Sequence, residues 1–330
     1  MKYPKPLQPG STIGIFAPSA GVGHKTGSFD RSLAVLRSEG YKIIETASVR
    51  TDDARSASAE VRGRELSELI ENPDVDLILC ASGGDYNLEM LPYADLEGLA
   101  KKQCWLAGAS DPTNLLYPLT TKYDIASIYG FNAGTFDWVP LHKFQKDSLR
   151  LLRGEMPTWH SFDFYDGSHD FSDETPSPDQ PVCWISRTNG CDAPVYVSGR
   201  LIGGCLDCIA KLIGTPYDGT ADFLRRYRGE PVIWFFDPFE MNADTLYLTM
   251  LQMKYCGYFE GTAAVIFGRI MFNDGSEDCD YLERLERIFD MPVIWNCDIG
   301  HVRPTFSLIN GAGAEVHCEG GKGWIRMEKR

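Results

Sequence analysis

Apolar runs that alternate with amphipathic ones restrict this chain more than any other feature. STIGIFAP (11–18) has no polar face, FDRSLAVLRSEG (29–40) has a helical period ending at Gly40, and YKIIET (41–46) is apolar again. SAEVRGRELSELIENP (58–73) is a charged amphipathic helix, and VDLILCAS (75–82), WLAGAS (105–110) and IASIYG (125–130) continue the series. Strands without a polar face need cover on both sides. The pattern therefore predicts an α/β chain built on a mainly parallel sheet.

Residues 155–182 break the rhythm. They are rich in Pro, Ser, Asp and Gly, have no helical period, and read as a linker. Beyond them VYVSGRLIGG, PVIWFFD, AAVIFGRI, MPVIWNCDIG and AEVHCEGGKGWIRM are strand-like, with helical patterns at 243–256 and 280–289. The expected division is an N-terminal α/β domain (1–154), a linker (155–182) and a smaller, more β-rich C-terminal domain (183–330). No internal repeat or low-complexity tract interrupts it.

Composition removes several function classes. With 43% hydrophobic and 24% charged residues, 330 residues can bury a sizeable core. A net charge of −14 repels nucleic acid and anionic membrane surfaces, so neither is an expected partner. The start of the chain lacks a signal-like apolar core, and no stretch approaches the roughly 20 apolar residues of a membrane span, so the expected location is the cytoplasm. The ten cysteines are scattered, mostly in apolar runs, as buried reduced thiols are. Cys205 and Cys208 have a redox or zinc spacing but no second ligand pair, so neither a metal nor another cofactor is expected.

In open parallel sheets, ligands bind where strands end. Four polar or glycine-rich segments stand at such ends: CASGGDYN (80–87), GASDPT (108–113), FFDPFE (235–240) and DIGHVRP (298–304). A serine hydroxyl becomes nucleophilic when a base takes its proton and an acid fixes that base's tautomer. Ser110, His301 and a carboxylate, Asp237 or Glu240, supply those three types. Each also has a plainer role: Ser110 suits a helix N-cap before Asp111 and Pro112, His301, one of six histidines, suits a structural one, Asp237 suits a turn before Pro238, and Gly83-Gly84 suits a tight turn. The hydrolase elbow G-x-S-x-G is absent, since Pro112 stands at its second glycine, which argues against the α/β-hydrolase fold. Pro112 has no N–H, so oxyanion donors would be the amide of Asp111 and that of Gly84 or Asp85.

The ordered set GSTIGIFAPSAG, ASGGDYNLEMLPYADLE, WLAGASDPTNLLYPL, GRLIGGCLDCIAKLIGTPY, VIWFFDPFEMNADTLYLTMLQMKYCGYFEGTAAVIFGR and PVIWNCDIGHVRPTFSLINGAGAEV resembles the LD-carboxypeptidases and the microcin C immunity peptidases. The resemblance implies a metal-free serine peptidase with a Ser-Glu-His triad, a flavodoxin-like N-terminal sandwich, a smaller β-rich C-terminal domain and a homodimer. Ser110 then matches the nucleophile, His301 the histidine, and Gly83-Gly84-Asp85 the oxyanion loop. Asp237 falls where the family has glutamate, with Glu240 near enough to substitute, and Cys205 replaces an asparagine. The implied substrate is a cell-wall tetrapeptide losing its terminal D-alanine. Arg303 is the candidate to receive its carboxylate and equally suits the surface. In the immunity branch the substrate is a peptidyl-nucleotide, on whose base Trp184 would stack; Trp184 equally suits a core. A binding protein without chemistry is a third reading, prompted by the aspartate.

Overall fold

A computed structural model of the chain describes residues 1–168, 177–270 and 281–330. They divide into two compact units, one of Met1–Pro157 with Ser307–Asn310, the other of the described residues of 158–306 with Gly311–Arg330.

In the first unit, β1 (Thr12–Phe16), β2 (Lys42–Glu45), β3 (Val75–Cys80), β4 (Trp105–Gly108) and β5 (Ser127–Tyr129) pair in parallel. Their order, β2-β1-β3-β4-β5, is the flavodoxin-like one. β1, β4 and β5 are buried at every position, which explains their lack of a polar face, whereas the edge strand β2 is half-exposed. Helices Thr26–Ser38, Ala59–Glu71 and Thr113–Tyr123 lie in the connections between strands. Ser58 caps the second of these by accepting from the Val61 amide at 3.3 Å. Strand order reverses between β1 and β3, the kind of switch point at whose strand ends ligands bind in open α/β sheets.

The second unit contains β6 (Thr158–His160), β7 (Phe164–Tyr165), β8 (Gln180–Pro181), β9 (Ile185–Thr188), β10 (Cys191–Asp192), β11 (Val195–Cys205), β12 (Val232–Asp237), β13 (Thr262–Gly268) and β14 (Val293–Cys297). After β15 (Leu308–Asn310), β16 (Gly313–Glu319) and β17 (Lys322–Glu328) complete it. Nine of these strands form one sheet in the order β10-β9-β14-β13-β12-β11-β16-β17-β6. Its centre, β11 to β14, is parallel and its flanks are antiparallel. β12 (VIWFFD) is buried along its whole length.

Two features depart from the expected division. The segment 155–182 is more than a linker, because β6 joins the sheet edge, with Trp159 opposite Ile325 and 1% exposed, and β7 pairs with β8. Three residues with one apolar side chain are too short to show a strand period. The C-terminal region also returns to the first sheet. β15 pairs antiparallel with β5, Leu308 opposite Tyr129, and covers an edge whose N–H and C=O groups would otherwise lack strand partners. Residues 169–176 of the expected linker and Cys279 lie outside the described residues. Among the described residues no helix is long and apolar enough to cross a membrane.

Candidate active site

Ser110 follows β4 in the first unit and has a left-handed backbone, φ +69°. It is not the helix cap: Pro112 occupies that position, and no side chain caps this helix. A non-glycine residue in this region costs about 1 kcal/mol or more and persists when its surroundings fix it. They do so here. Asn132 accepts from the Ala109 amide at 3.0 Å and donates to the Ala109 carbonyl at 3.2 Å. The Ser110 amide donates to the Tyr129 hydroxyl at 3.4 Å, and the Ser110 carbonyl accepts from Thr113 at 2.9 Å. The buried Asp111 carboxylate accepts from the Asn87 amide at 2.8 Å and from Asn114 Nδ2 at 2.7 Å, which joins the serine turn to the chain after the glycine turn.

The glycine turn follows β3 and reaches the serine. A Cβ on Gly83 would stand 3.0 Å from Ser110 Oγ and 2.9 Å from its Cβ. Gly84 has φ +135°, and a Cβ there would stand 2.5 Å from Ser19 Oγ, which itself accepts from the Tyr86 amide at 2.8 Å. Only residues without side chains pass between Ser19 and Ser110 in this way. Gly84 and Asp85 are exposed.

In the second unit, Asp237 ends β12 and is 1% exposed, while His301 stands four residues after β14. Asp237 Oδ2 lies 2.9 Å from His301 Nδ1. The Phe239 ring stacks on the imidazole, centroids 3.8 Å apart and planes 13° from parallel. Burial lowers the imidazole pKa, but Asp237, Asp207 and Glu240 outweigh it and hold the value above the ordinary 6.5. Gly300 has φ +105°, and a Cβ there would stand 2.0 Å from Asp237 Oδ1. Gly300→Ala is therefore expected to push the carboxylate off the imidazole and move the His301 titration midpoint to lower pH, as read by histidine NMR. An unmoved midpoint would show that Asp237 does not govern the ring.

The other candidates are placed differently. Glu240 is exposed, and its amide donates to Asp207 Oδ1 at 3.1 Å, so the carboxylate at the imidazole nitrogen is that of Asp237. Trp184 does not offer a face for stacking. It is 2% exposed, its indole N–H donates to Asp298 Oδ2 at 2.8 Å, and a Cβ on Gly323 would meet its ring at 2.2 Å. A buried N–H with a fixed carboxylate partner makes this a core residue. Arg303 is half-buried on the His301 loop, its carbonyl accepting from the Asp166 amide at 2.9 Å. The Cys205 thiol is raised well above its ordinary pKa by its hydrogen bond with the Cys208 thiol, by burial and by Asp237 and Asp207, so it stays protonated. Among the described residues no group of three His, Cys, Asp or Glu side chains is placed to hold a metal ion.

Several residues that shape the serine turn and the His301 loop carry no motif. Asn87, Asn114 and Asn132 fix the serine turn. Arg269, 7% exposed, pairs with the buried Asp298 and donates to the Val302 carbonyl at 3.3 Å, anchoring the loop that bears His301. Asp298, three residues before His301, was the one visible signal for that anchor.

Comparison with known proteins agrees with this architecture. Residues 13–130 match the LD-carboxypeptidase N-terminal domain and residues 198–316 the LD-carboxypeptidase C-terminal domain. A Vibrio cholerae protein, provisionally named a carboxypeptidase, is 26% identical over 321 residues, covering 92% of this chain and 91% of its own. The Escherichia coli microcin C7 self-immunity protein MccF is 26% identical over 318 residues, covering 92% and 89%. The structure of MccF in complex with glutamyl sulfamoyl guanosine superposes with a TM-score of 0.79 at 22% identity, covering 99% and 98% of the two chains. The muramoyltetrapeptide carboxypeptidase of Oxalobacter formigenes does so with 0.73 at 23%, covering 97% and 99%. At such identity the superpositions establish the fold, and the two domain matches establish the lineage: this chain belongs to the LD-carboxypeptidase family.

Proposed function

We propose that this protein is a serine-type carboxypeptidase that hydrolyses the terminal amide of a small peptide, most specifically an L-centre to D-alanine bond in a cell-wall tetrapeptide. The observation that carries the serine chemistry is the Asp237–His301 contact of 2.9 Å in the second unit, an acid set against a base; the left-handed Ser110 of the first unit is the hydroxyl proposed to use it. Ser110 Oγ attacks the carbonyl carbon, and His301 accepts its proton and returns it to the leaving amine. Asp237 holds the tautomer with its Nδ1 proton and stabilises the imidazolium. The amides of Asp111 and of Gly84 or Asp85 receive the oxyanion, each worth roughly 3 kcal/mol of barrier lowering. Arg303 is proposed to receive the substrate carboxylate. The aspartate in place of glutamate does not separate the acid from the imidazole, which supports an enzyme over a binding protein.

The substrate is tested by incubating the protein with a tetrapeptide ending in D-alanine and, separately, with an aminoacyl-sulfamoyl nucleoside, and resolving products by mass spectrometry. Release of D-alanine from the first is expected. Cleavage of the second alone would move the substrate to the nucleotide class. Turnover is expected to be unchanged by EDTA and by mild reductant, because the mechanism assigns no step to a metal or to the Cys205–Cys208 pair. Loss on chelation, restored by zinc, would contradict it.

The imidazole pKa sets the pH dependence. The base must be neutral to accept the serine proton, so kcat/KM is expected to fall as pH drops through a midpoint above the ordinary 6.5. A pH profile flat down to about 5 would show that no imidazole acts as base.

A further inference from the structure

Pro238 follows Asp237 and has no N–H to donate, so the first backbone donors after the strand are those of Phe239 and Glu240. Both go to one carboxylate: Asp207 Oδ2 accepts from the Phe239 amide at 2.9 Å, and Oδ1 accepts from the Glu240 amide at 3.1 Å. Asp207 can reach them because β11 and β12 are parallel neighbours in register, Cys205 opposite Asp237, and the helix carrying Asp207 begins at Leu206. The tethered residue is the one whose ring lies 3.8 Å from the imidazole centroid. His301 is thus held along its edge by Asp237 and across its face by Phe239.

We infer that Asp207 is a positioning residue for His301, tethering the Phe239–Glu240 backbone so that the phenyl ring stays stacked on the imidazole. It acts through Phe239 and touches no reacting atom. The stack also has a chemical consequence, because the face of an aromatic ring favours a cation, and the imidazole is a cation between the two proton transfers. The charged groups around His301 act in the same direction: Asp237 from the end of β12, Glu240 from the loop after it, and Asp207 from the neighbouring helix. The Cys205 thiol, 3.7 Å from Asp207 Oδ2, stays protonated and adds no charge. The kinetic part of this inference rests on the serine-peptidase reading; the placement of the ring does not.

The test is NMR of the full chain with labelled histidine, the His301 signals being identified among six histidines by their loss in His301→Gln. In the wild type the imidazole protons are expected upfield, under the ring current of Phe239; ordinary positions would overturn the stack. Phe239→Leu should remove the upfield shift. Asp207→Ala should reduce it and move the titration midpoint to lower pH. Asp207→Asn keeps an acceptor but loses the charge, so it should retain more of the ring shift than alanine does and still lower the midpoint. In the alanine variant kcat should fall about 10- to 100-fold, with KM little changed and the acid limb of the pH profile moved down. A folded Asp207→Ala with wild-type ring shifts and midpoint would reduce Asp207 to a turn former. If that variant does not fold, Asp207→Asn, whose single acceptor oxygen serves one of the two amides, overturns the inference equally by keeping wild-type ring shifts. These titrations need no substrate, so an inactive nucleophile assignment and a failed tether give different results.

Discussion

Ser110→Ala is expected to leave less than about a thousandth of wild-type turnover while the thermal midpoint and substrate affinity stay near their original values. In the proposed mechanism the hydroxyl makes the new bond in the chemical step, so its loss removes the acylation route. What remains is the contribution of the oxyanion donors and of binding, typically 10³–10⁴-fold over water and far below the full enzyme. The fold should tolerate the change, because the turn is held through the backbone of Ala109 and Ser110 and through the Asp111 carboxylate. A purified variant with more than a thousandth of the activity would end the serine assignment.

The second large effect is expected at Asp237. In the proposed mechanism asparagine there removes the carboxylate that fixes the imidazole tautomer and stabilises its cation, and turnover should fall by about 10⁴. The side chain is nearly the same size, so packing at the end of β12 is preserved. Glu240→Gln should cost far less, because Glu240 is exposed and contributes only a distant charge to His301. A near-active Asp237→Asn beside an inactive Glu240→Gln would transfer the role to Glu240.

The sheet of the first unit was legible because strands such as β1, β4 and β5 are buried at every position, and TIGIF then presents no polar face to confuse with a helix. Ser110, Asp237 and His301 were legible as positions for a related reason: Asp237 ends an apolar strand, and Ser110 and His301 follow two and four residues after the ends of others. Ser110 as helix cap was an equally good reading of the same residues. The choice depended on a backbone angle set by Asn132 and Tyr129, which lie about twenty residues away and form no pattern with the serine. Trp184 stood beside a polar segment, and its burial depends on Asp298, a partner more than a hundred residues distant. β6 and β15 were invisible because three residues cannot display a period, and their pairing is decided by sheet edges made elsewhere in the chain. Asp207 lay inside a CxxC that drew attention to its cysteines, whereas the structure gives the tether to the acid between them.

The central claim is that Ser110 becomes acylated during turnover. An ester of the tetrapeptide-type substrate makes acylation fast relative to deacylation, so the intermediate accumulates and survives an acid quench. Intact-mass and peptide mass spectrometry of the quenched enzyme should show one acyl group per chain, on the peptide containing Ser110, and none in Ser110→Ala. An acyl group on another residue, or ester turnover by Ser110→Ala without any acylated enzyme, would contradict the account.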